Sequence, residues 1–589
     1  MLMRLTLAAP KDSVAGRWDY TMRVWVRTHS GAEIEIGRFI TPYGRWFRDP
    51  WSHTWTMDVT PYQYLLRDTV TIRVQYDGYS QGSVFSLAVD CHAGEPVLPV
   101  YKIDSLWQGV FSYGNVQLPL SSTVSLKKVL IDRDAKRVYL RVFTTGHGGG
   151  GTDNAAEFSD KTHHIAINDV VRFTQHLWRT DCGENPLYPQ AGTWYYSRAG
   201  WCPGDVVHPW YFDLTPYVHP GDSTKIDYQF EPFINKDSSH PASYIVSADL
   251  LYAAEPTFTY DAAFESILMP SDKPEQAHHN PICSEQSPKI VIRNNGKLPL
   301  KSLRIDYGID GRRNDHFDWH GSLEFLDTAQ ISLPPTDLGI GTRLFTVLLA
   351  DPNGHYDENP GNNLGTTTFT TPPMYDGPVR LSLLTDKVPA EDSISNSIIY
   401  DLIDATGRAL YSNGGFADSS FIRDTFDLAP GCYQFVIQDT GMSQGGGDGL
   451  FPIYPGSSRG FYALEDVGHT LIDSATASNH KANFGPKRIV PFTIREGILP
   501  IFSYPKLHLK LDQKKRKVEI DCSKLPYFGS RALRLEIVDA LGKVVESQRL
   551  SEKMMPLIKL DLSPLSKGKY YARVDCPIFR AVEGFTIGR

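Results

Sequence analysis

The sequence predicts an all-β chain built from several sandwiches, and three observations carry that prediction. Short apolar–polar alternations recur along the whole chain. Turn-forming residues are frequent, with 48 Gly and 40 Pro to separate short strands. Aromatic residues make up 12% of the chain, with 30 Tyr and 11 Trp, and they suit pleated, half-buried surfaces. At 589 residues the chain is long enough for about four domains. Hydrophobic residues at 41% and charged residues at 21% describe an ordinary globular composition.

The elements follow in order. Alternating or β-branched runs predict strands at Met3–Ala8, Tyr20–Arg27, Glu33–Tyr43, Thr54–Thr60, Thr69–Tyr76 and Ser83–Asp90, separated by turn clusters such as Thr28–Gly31. These six strands define a first unit, residues 1–98. A second series, residues 99–256, includes Arg137–Phe143, Thr162–Ile167, Tyr211–Leu214, Ile226–Phe230 and Tyr244–Leu250. Even spacing of this kind reads as sandwiches or jelly rolls. A jelly roll holds eight strands, so the six of the first unit predict that its first strands are missing from the chain as written. The opening MLMRLTLAAP also lacks the length of an intact signal peptide. Three smaller β-sandwich or Ig-like modules are expected at 257–375, 376–498 and 499–589. The first contains the turn-rich loop Asp351–Asn363, and the last has strands at Lys517–Ile520, Leu533–Asp539 and Lys569–Val574.

Charge and cysteine content narrow the function. A formal charge of −8 makes nucleic acid a poor partner. No stretch reaches the roughly 18 apolar residues of a spanning helix. None of the seven cysteines lies in a CxxC pair, which disfavours a zinc ribbon or a thioredoxin-like site. Unusual residues concentrate in three segments, Gly16–Val26, Gly146–Asn168 and Asp181–Gly204. The first places Asp19 directly after Trp18 at the mouth of a strand. The second sets Glu157 after the glycine run Gly148–Gly151, which permits close backbone approach but lacks the GK[ST] of a phosphate loop. The third brings Arg198 and Trp201 beside Cys202. Hydrolysis by a bound water needs a carboxylate beside that water and a donor for the leaving group. Two acids from separate segments, with Trp18, Tyr79 and Trp201 as flat faces for sugar rings, meet that need.

The blocks Glu35–Tyr43 (EIGRFITPY), Trp18-Asp19, Thr162–Asn168 (THHIAIN) and Arg198–Gly204 (RAGWCPG) closely resemble the peptide-N-glycosidase F family, in order, over about residues 1–255. The resemblance implies two side-by-side jelly rolls with the site in the cleft between them, hydrolysis of the glycan–asparagine amide of N-glycoproteins or glycopeptides, and no metal or other cofactor. It implies that Asp19 is the essential acid, that Glu157 reaches the second core sugar or the water network, and that Asp77 holds the place of a third acid, usually Glu. It implies that Arg198 contacts the glycan core or the carboxylates. Cys182 and Cys202 would form a disulfide pinning the Arg198 loop. Tyr20 stands where an arginine is usual, and His147 and Tyr79 stand where tryptophans line the sugar site, so the tolerated glycan is expected to differ.

Two other readings compete. A copper monooxygenase shares the paired jelly rolls, and His147, His163 and His164 would serve part of one site, but no second His-x-His plus Met set exists. On a strand His163 and His164 point to opposite faces, which favours a core histidine. The other alternative is a non-catalytic glycan-binding surface protein. The final module, with LRLEIVDALGKVV and DLSPLSKGKYYARV, resembles the C-terminal sorting or Ig-like modules of secreted Bacteroidetes proteins and implies export. A Cys522–Cys576 pair is expected within it.

Overall fold

A computed structural model describes residues 1–28, 31–67, 69–79, 82–149, 154, 156–237, 239–278, 280–283, 285–387, 398–441, 447–452, 457–495, 507–521, 533–539, 543–550, 557–576 and 579–588. The described residues are nearly all strand and loop, arranged as five two-layer units. The first holds β1 (Leu2–Ala8), β2 (Thr21–Arg27), β3 (Glu33–Ile40), β4 (Ser52–Asp58), β5 (Thr71–Tyr76) and β6 (Val84–Asp90). Its two three-stranded sheets have orders β4-β1-β6 and β3-β2-β5. Alternation along β1 buries Met3, Leu5 and Leu7 against Val24, Val26 and Ile36 of the facing sheet.

The second unit is an eight-stranded jelly roll. Its strands are β7 (Val100–Tyr113), β8 (Lys127–Leu130), β9 (Arg137–His147), β10 (Thr162–Ile167), β11 (Val170–His176), β12 (Trp210–Asp213), β13 (Ser223–Gln229) and β14 (Ala242–Ala253). They form sheets of order β11-β10-β13-β8 and β12-β9-β14-β7. Strands β9 and β14 are buried almost throughout rather than alternately. One face meets the jelly roll's own core of Leu140, Val142, Ile165, Tyr228 and Val246, and the other meets the first sandwich.

That second contact explains the polar residues inside these strands. The fully buried Arg38 grips both carboxylate oxygens of Glu35 through Nε and Nη2, at 2.7 and 2.9 Å. It also donates to Thr145 Oγ1 at 3.0 Å and to the Ile245 carbonyl at 2.8 Å, across the seam. Arg141 answers from β9 by donating to the Glu35 carbonyl at 2.9 Å. Backbone bonds finish the join: Ile40 donates to the Asp205 carbonyl, Gly204 to that of Ile40 and Val207 to that of Arg38. A buried, fully bonded arginine tolerates little displacement, because losing a partner strands its charge at a cost of about 3–5 kcal/mol. The seam is therefore fixed.

The third unit runs from Ala262–Met269 through Leu364–Thr370, with a four-stranded sheet opposite a three-stranded one. The fourth runs from Met374–Tyr375 through Lys487–Ile494, with sheets of five and four strands. A disulfide between Cys283 and Cys432, 149 residues apart, joins these two units. The last packs His508–Asp512, Lys517–Asp521 and Leu557–Asp561 on a four-stranded sheet ending in Phe579–Ile587. Cys522 and the side chain of Cys576 lie outside the described residues.

Candidate active site

The chain reverses just before β2, and this reversal carries Asp19. Thr41 clamps it: its hydroxyl donates to the Trp18 carbonyl at 2.7 Å and accepts the Tyr20 N–H at 2.8 Å. Glu157 comes from the other sandwich. At Gly148 the backbone is left-handed (φ +96°), and a Cβ there would meet the Pro241 carbonyl oxygen at 2.2 Å. Only glycine makes that turn, and it brings the Gly148 N–H to Glu157 Oε2 at 3.3 Å.

Arg198 joins the two acids. Its side chain has no exposed surface, with Nη2 3.7 Å from Asp19 Oδ2 and Nε 3.3 Å from Glu157 Oε1. The remaining donors reach the carbonyls of Thr193 (2.8 Å) and Tyr196 (3.0 Å), Thr193 Oγ1 (3.1 Å) and the Tyr43 hydroxyl (3.3 Å). The Tyr43 hydroxyl, shared with Thr193 Oγ1, also favours the Asp19 carboxylate. Burial pushes both acids upward, because a carboxylate loses its water there. Glu157 is raised to about 7, with Arg198 pulling the other way and Asp19 adding to the rise. Asp19 is also raised by burial, against the pull of Arg198 and Tyr43. Burial holds the Tyr43 phenol well above its usual range, so it remains a donor.

The other expected residues are placed as follows. The disulfide Cys182–Cys202 is present and closes the loop bearing Arg198. Trp18 is half exposed and Tyr79 almost wholly so. The Tyr20 ring lies edge-on to Tyr79 and Tyr76, at 5.2 and 5.5 Å, which makes an aromatic wall beside Asp19. Asp77 is not on Arg198: Arg23 Nη2 holds it at 3.1 Å and Gln75 Nε2 at 2.6 Å. His147 and Trp201 lie beneath the acids rather than in the opening. Trp201 is buried, and its indole N–H donates to the Gly146 carbonyl at 2.7 Å. His147 stacks on one side of its ring and the Arg198 guanidinium rests 4.9 Å from its centre, which leaves no face for a sugar. Burial and the charges of Arg38, Arg23 and Arg198 push the His147 imidazole down to about 3, so it is neutral. His163 is buried among Tyr228, Phe230 and Tyr244, and His164 shares a hydrogen bond with Thr174. Among the described residues, no group of three or more His, Cys, Asp and Glu is arranged to hold a metal.

Three polar residues complete the site without having been singled out in the sequence: Tyr43, Thr193 and Gln190, whose Oε1 accepts the Tyr43 backbone N–H at 2.9 Å. Tyr43 ends the EIGRFITPY block, and that is its only sequence signal.

Paired β-sandwiches with an acid–arginine–acid cluster in their seam thus define the structural class. Residues 119–251 match the family model described as peptide-N-glycosidase F, C terminal, and residues 512–576 match a secretion system C-terminal sorting domain. Peptide-N(4)-(N-acetyl-beta-D-glucosaminyl)asparagine amidase F of Elizabethkingia miricola is 30% identical over 253 residues, which are 40% of this chain and 69% of that protein. Among solved structures, PNGase F from Flavobacterium meningosepticum is similar at 25% identity, with a TM-score of 0.38 over 43% of this chain and 84% of that one. PNGF-II is 19% identical, with a TM-score of 0.34 over 43% and 56%. The chain belongs to the peptide-N-glycosidase F family. Its sorting domain marks it as a secreted or cell-surface protein, a setting in which disulfides persist.

Proposed function

We propose that this protein hydrolyses the amide joining an N-glycan to asparagine in glycoproteins or glycopeptides, converting Asn to Asp and releasing a glycosylamine. One observation carries the reading: Asp19 and Glu157, from different sandwiches, meet on a single buried arginine beside an open aromatic wall. The named activity of the Elizabethkingia relative supports it.

The geometry suggests how the work divides. Both oxygens of Glu157 accept N–H groups, so its working form is the carboxylate. Asp19 is ion-paired with Arg198, whose charge and the Tyr43 hydroxyl favour its carboxylate form. A water at Asp19 gives up its proton as its oxygen attacks the amide carbon. The same proton passes to nitrogen as the C–N bond breaks, leaving a carboxylic acid on the peptide and an amine on the sugar. Glu157 fixes that water and the first sugars, the buried Arg198 holds the two carboxylates in place, and Trp18, Tyr20 and Tyr79 supply faces for the rings. Asp77 acts at one remove, by holding Arg23 beside the His147–Trp201 floor. Incubation with a defined glycopeptide, followed by mass analysis of the Asn, tests the reading. Unchanged glycopeptide overturns it.

A further inference from the structure

The loop that carries Arg198 has two sides. Its inner side holds the site: Thr193 binds the guanidinium, and Gln190 fixes Tyr43 and donates to the Pro203 carbonyl at 2.9 Å. Its outer side is packed against the fourth sandwich, at residues beyond the 119–251 stretch that matches the family model. Asn483, 1% exposed, donates from Nδ2 to the Gln190 carbonyl at 2.9 Å and accepts the Trp194 indole N–H at 3.3 Å. Gly183 lies so close to Pro486 that a Cβ would come within 2.3 Å of its ring. Arg488, anchored on both oxygens of Asp473, reaches the Tyr188 hydroxyl at 3.4 Å. On the first sandwich, Trp46 stacks on His480 at 4.3 Å, three residues after the Tyr43 whose hydroxyl accepts from Arg198. The Cys283–Cys432 disulfide holds the fourth sandwich to the segment whose His278 ring lies 3.7 Å from that of Tyr188.

We propose that the fourth sandwich is a working part of the active site, with Asn483 as a positioning residue that sets Tyr43, Thr193 and Arg198 around Asp19 through Gln190 and Trp194. The inference rests on the amidase reading. Both amide atoms of Asn483 are used, one on each of two residues flanking the 191–193 turn, so the turn has one seating. Thr193 is adjacent to Trp194, and a displaced Thr193 carries Arg198 with it. Misplacing a catalytic group by an ångström is enough to cost on the order of 10²-fold in rate. Of the aromatic wall, Tyr20 packs on Tyr76 and Tyr79 and only Trp18 meets the network, edge-on to the Tyr43 ring at 6.3 Å, so sugar binding is largely spared.

The test compares the full chain with its Asn483→Ala and Trp194→Phe variants on one glycopeptide, well below their melting temperatures. Asn483→Ala is expected to lower kcat about 10-fold with KM within about twofold. Its acidic limb should also move to higher pH, because a retreating Arg198 no longer restrains Glu157. Trp194→Phe keeps the ring and loses the N–H, and should shift both readouts in the same direction by less. If Asn483→Ala does not fold, Trp194→Phe decides. A kcat within twofold of the parent, or a loss matching only the lost folded fraction with the limb unmoved, overturns the inference. An inactive parent chain would instead overturn the amidase reading.

Discussion

Glu157→Gln should trade function for stability in a pH-dependent way. Glu157 titrates near 4.5 when unfolded and near 7 when folded, so between those values the folded chain holds a proton that the unfolded chain has lost. A raised acid stabilises fully below its unfolded value, and that contribution disappears as pH rises through the folded one. At about 1.4 kcal/mol per pH unit of separation, the parent loses about 3 kcal/mol between pH 4 and 8 from this group alone. The side chain is only 17% exposed, so solvent screens little of this. Glutamine does not titrate, and it keeps an acceptor for Arg198. The stability difference between variant and parent should therefore move about 3 kcal/mol in the variant's favour from pH 4 to pH 8. Denaturant unfolding of both chains across that range measures it, and the modules common to both cancel in the difference. A gap flat with pH, or one moving in the parent's favour as pH rises, would refute the placement of Glu157 out of water.

Three further outcomes follow from the same geometry. Asp19→Asn should preserve the fold and cut glycan release by at least about 10²-fold, because the shape remains but the proton acceptor is gone; near-parental turnover would remove Asp19 from the reaction. kcat/KM should rise with pH through about 7 as Glu157 ionises, and that limb should be missing in Glu157→Gln, as read from pH–rate profiles of both. Replacing Cys182 and Cys202 together by serine opens a crosslink of 20 residues, which should cost about 3 kcal/mol and lower turnover by loosening Arg198; unchanged unfolding and kinetics would show that the loop needs no staple.

The strands were legible because burial in a single sandwich alternates: the pattern along β1 or β13 is the pattern of its residues. Strands β9 and β14 break that rule because a second sandwich covers their outer face, where the buried Arg141 donates to the Glu35 carbonyl and lies 3.9 Å from Asp249. Asp19, Glu157 and Arg198 stood out through motif blocks. Tyr43, Gln190 and Thr193 did not, since Tyr43 meets its two partners across about 150 residues of chain. Trp201 shows the opposite failure. An indole beside a catalytic arginine suggests a sugar platform, but sequence does not reveal that His147 and Arg198 occupy both of its faces. Cys283–Cys432 was illegible for the same reason of distance.

The most direct test of the central claim is the reaction of the full chain with a defined N-glycopeptide in heavy-oxygen water. The glycosylated Asn should become Asp with one solvent oxygen in its carboxylate, while the glycan leaves whole as a glycosylamine. An Asn that still carries its innermost sugar, or a glycopeptide recovered intact, would contradict it.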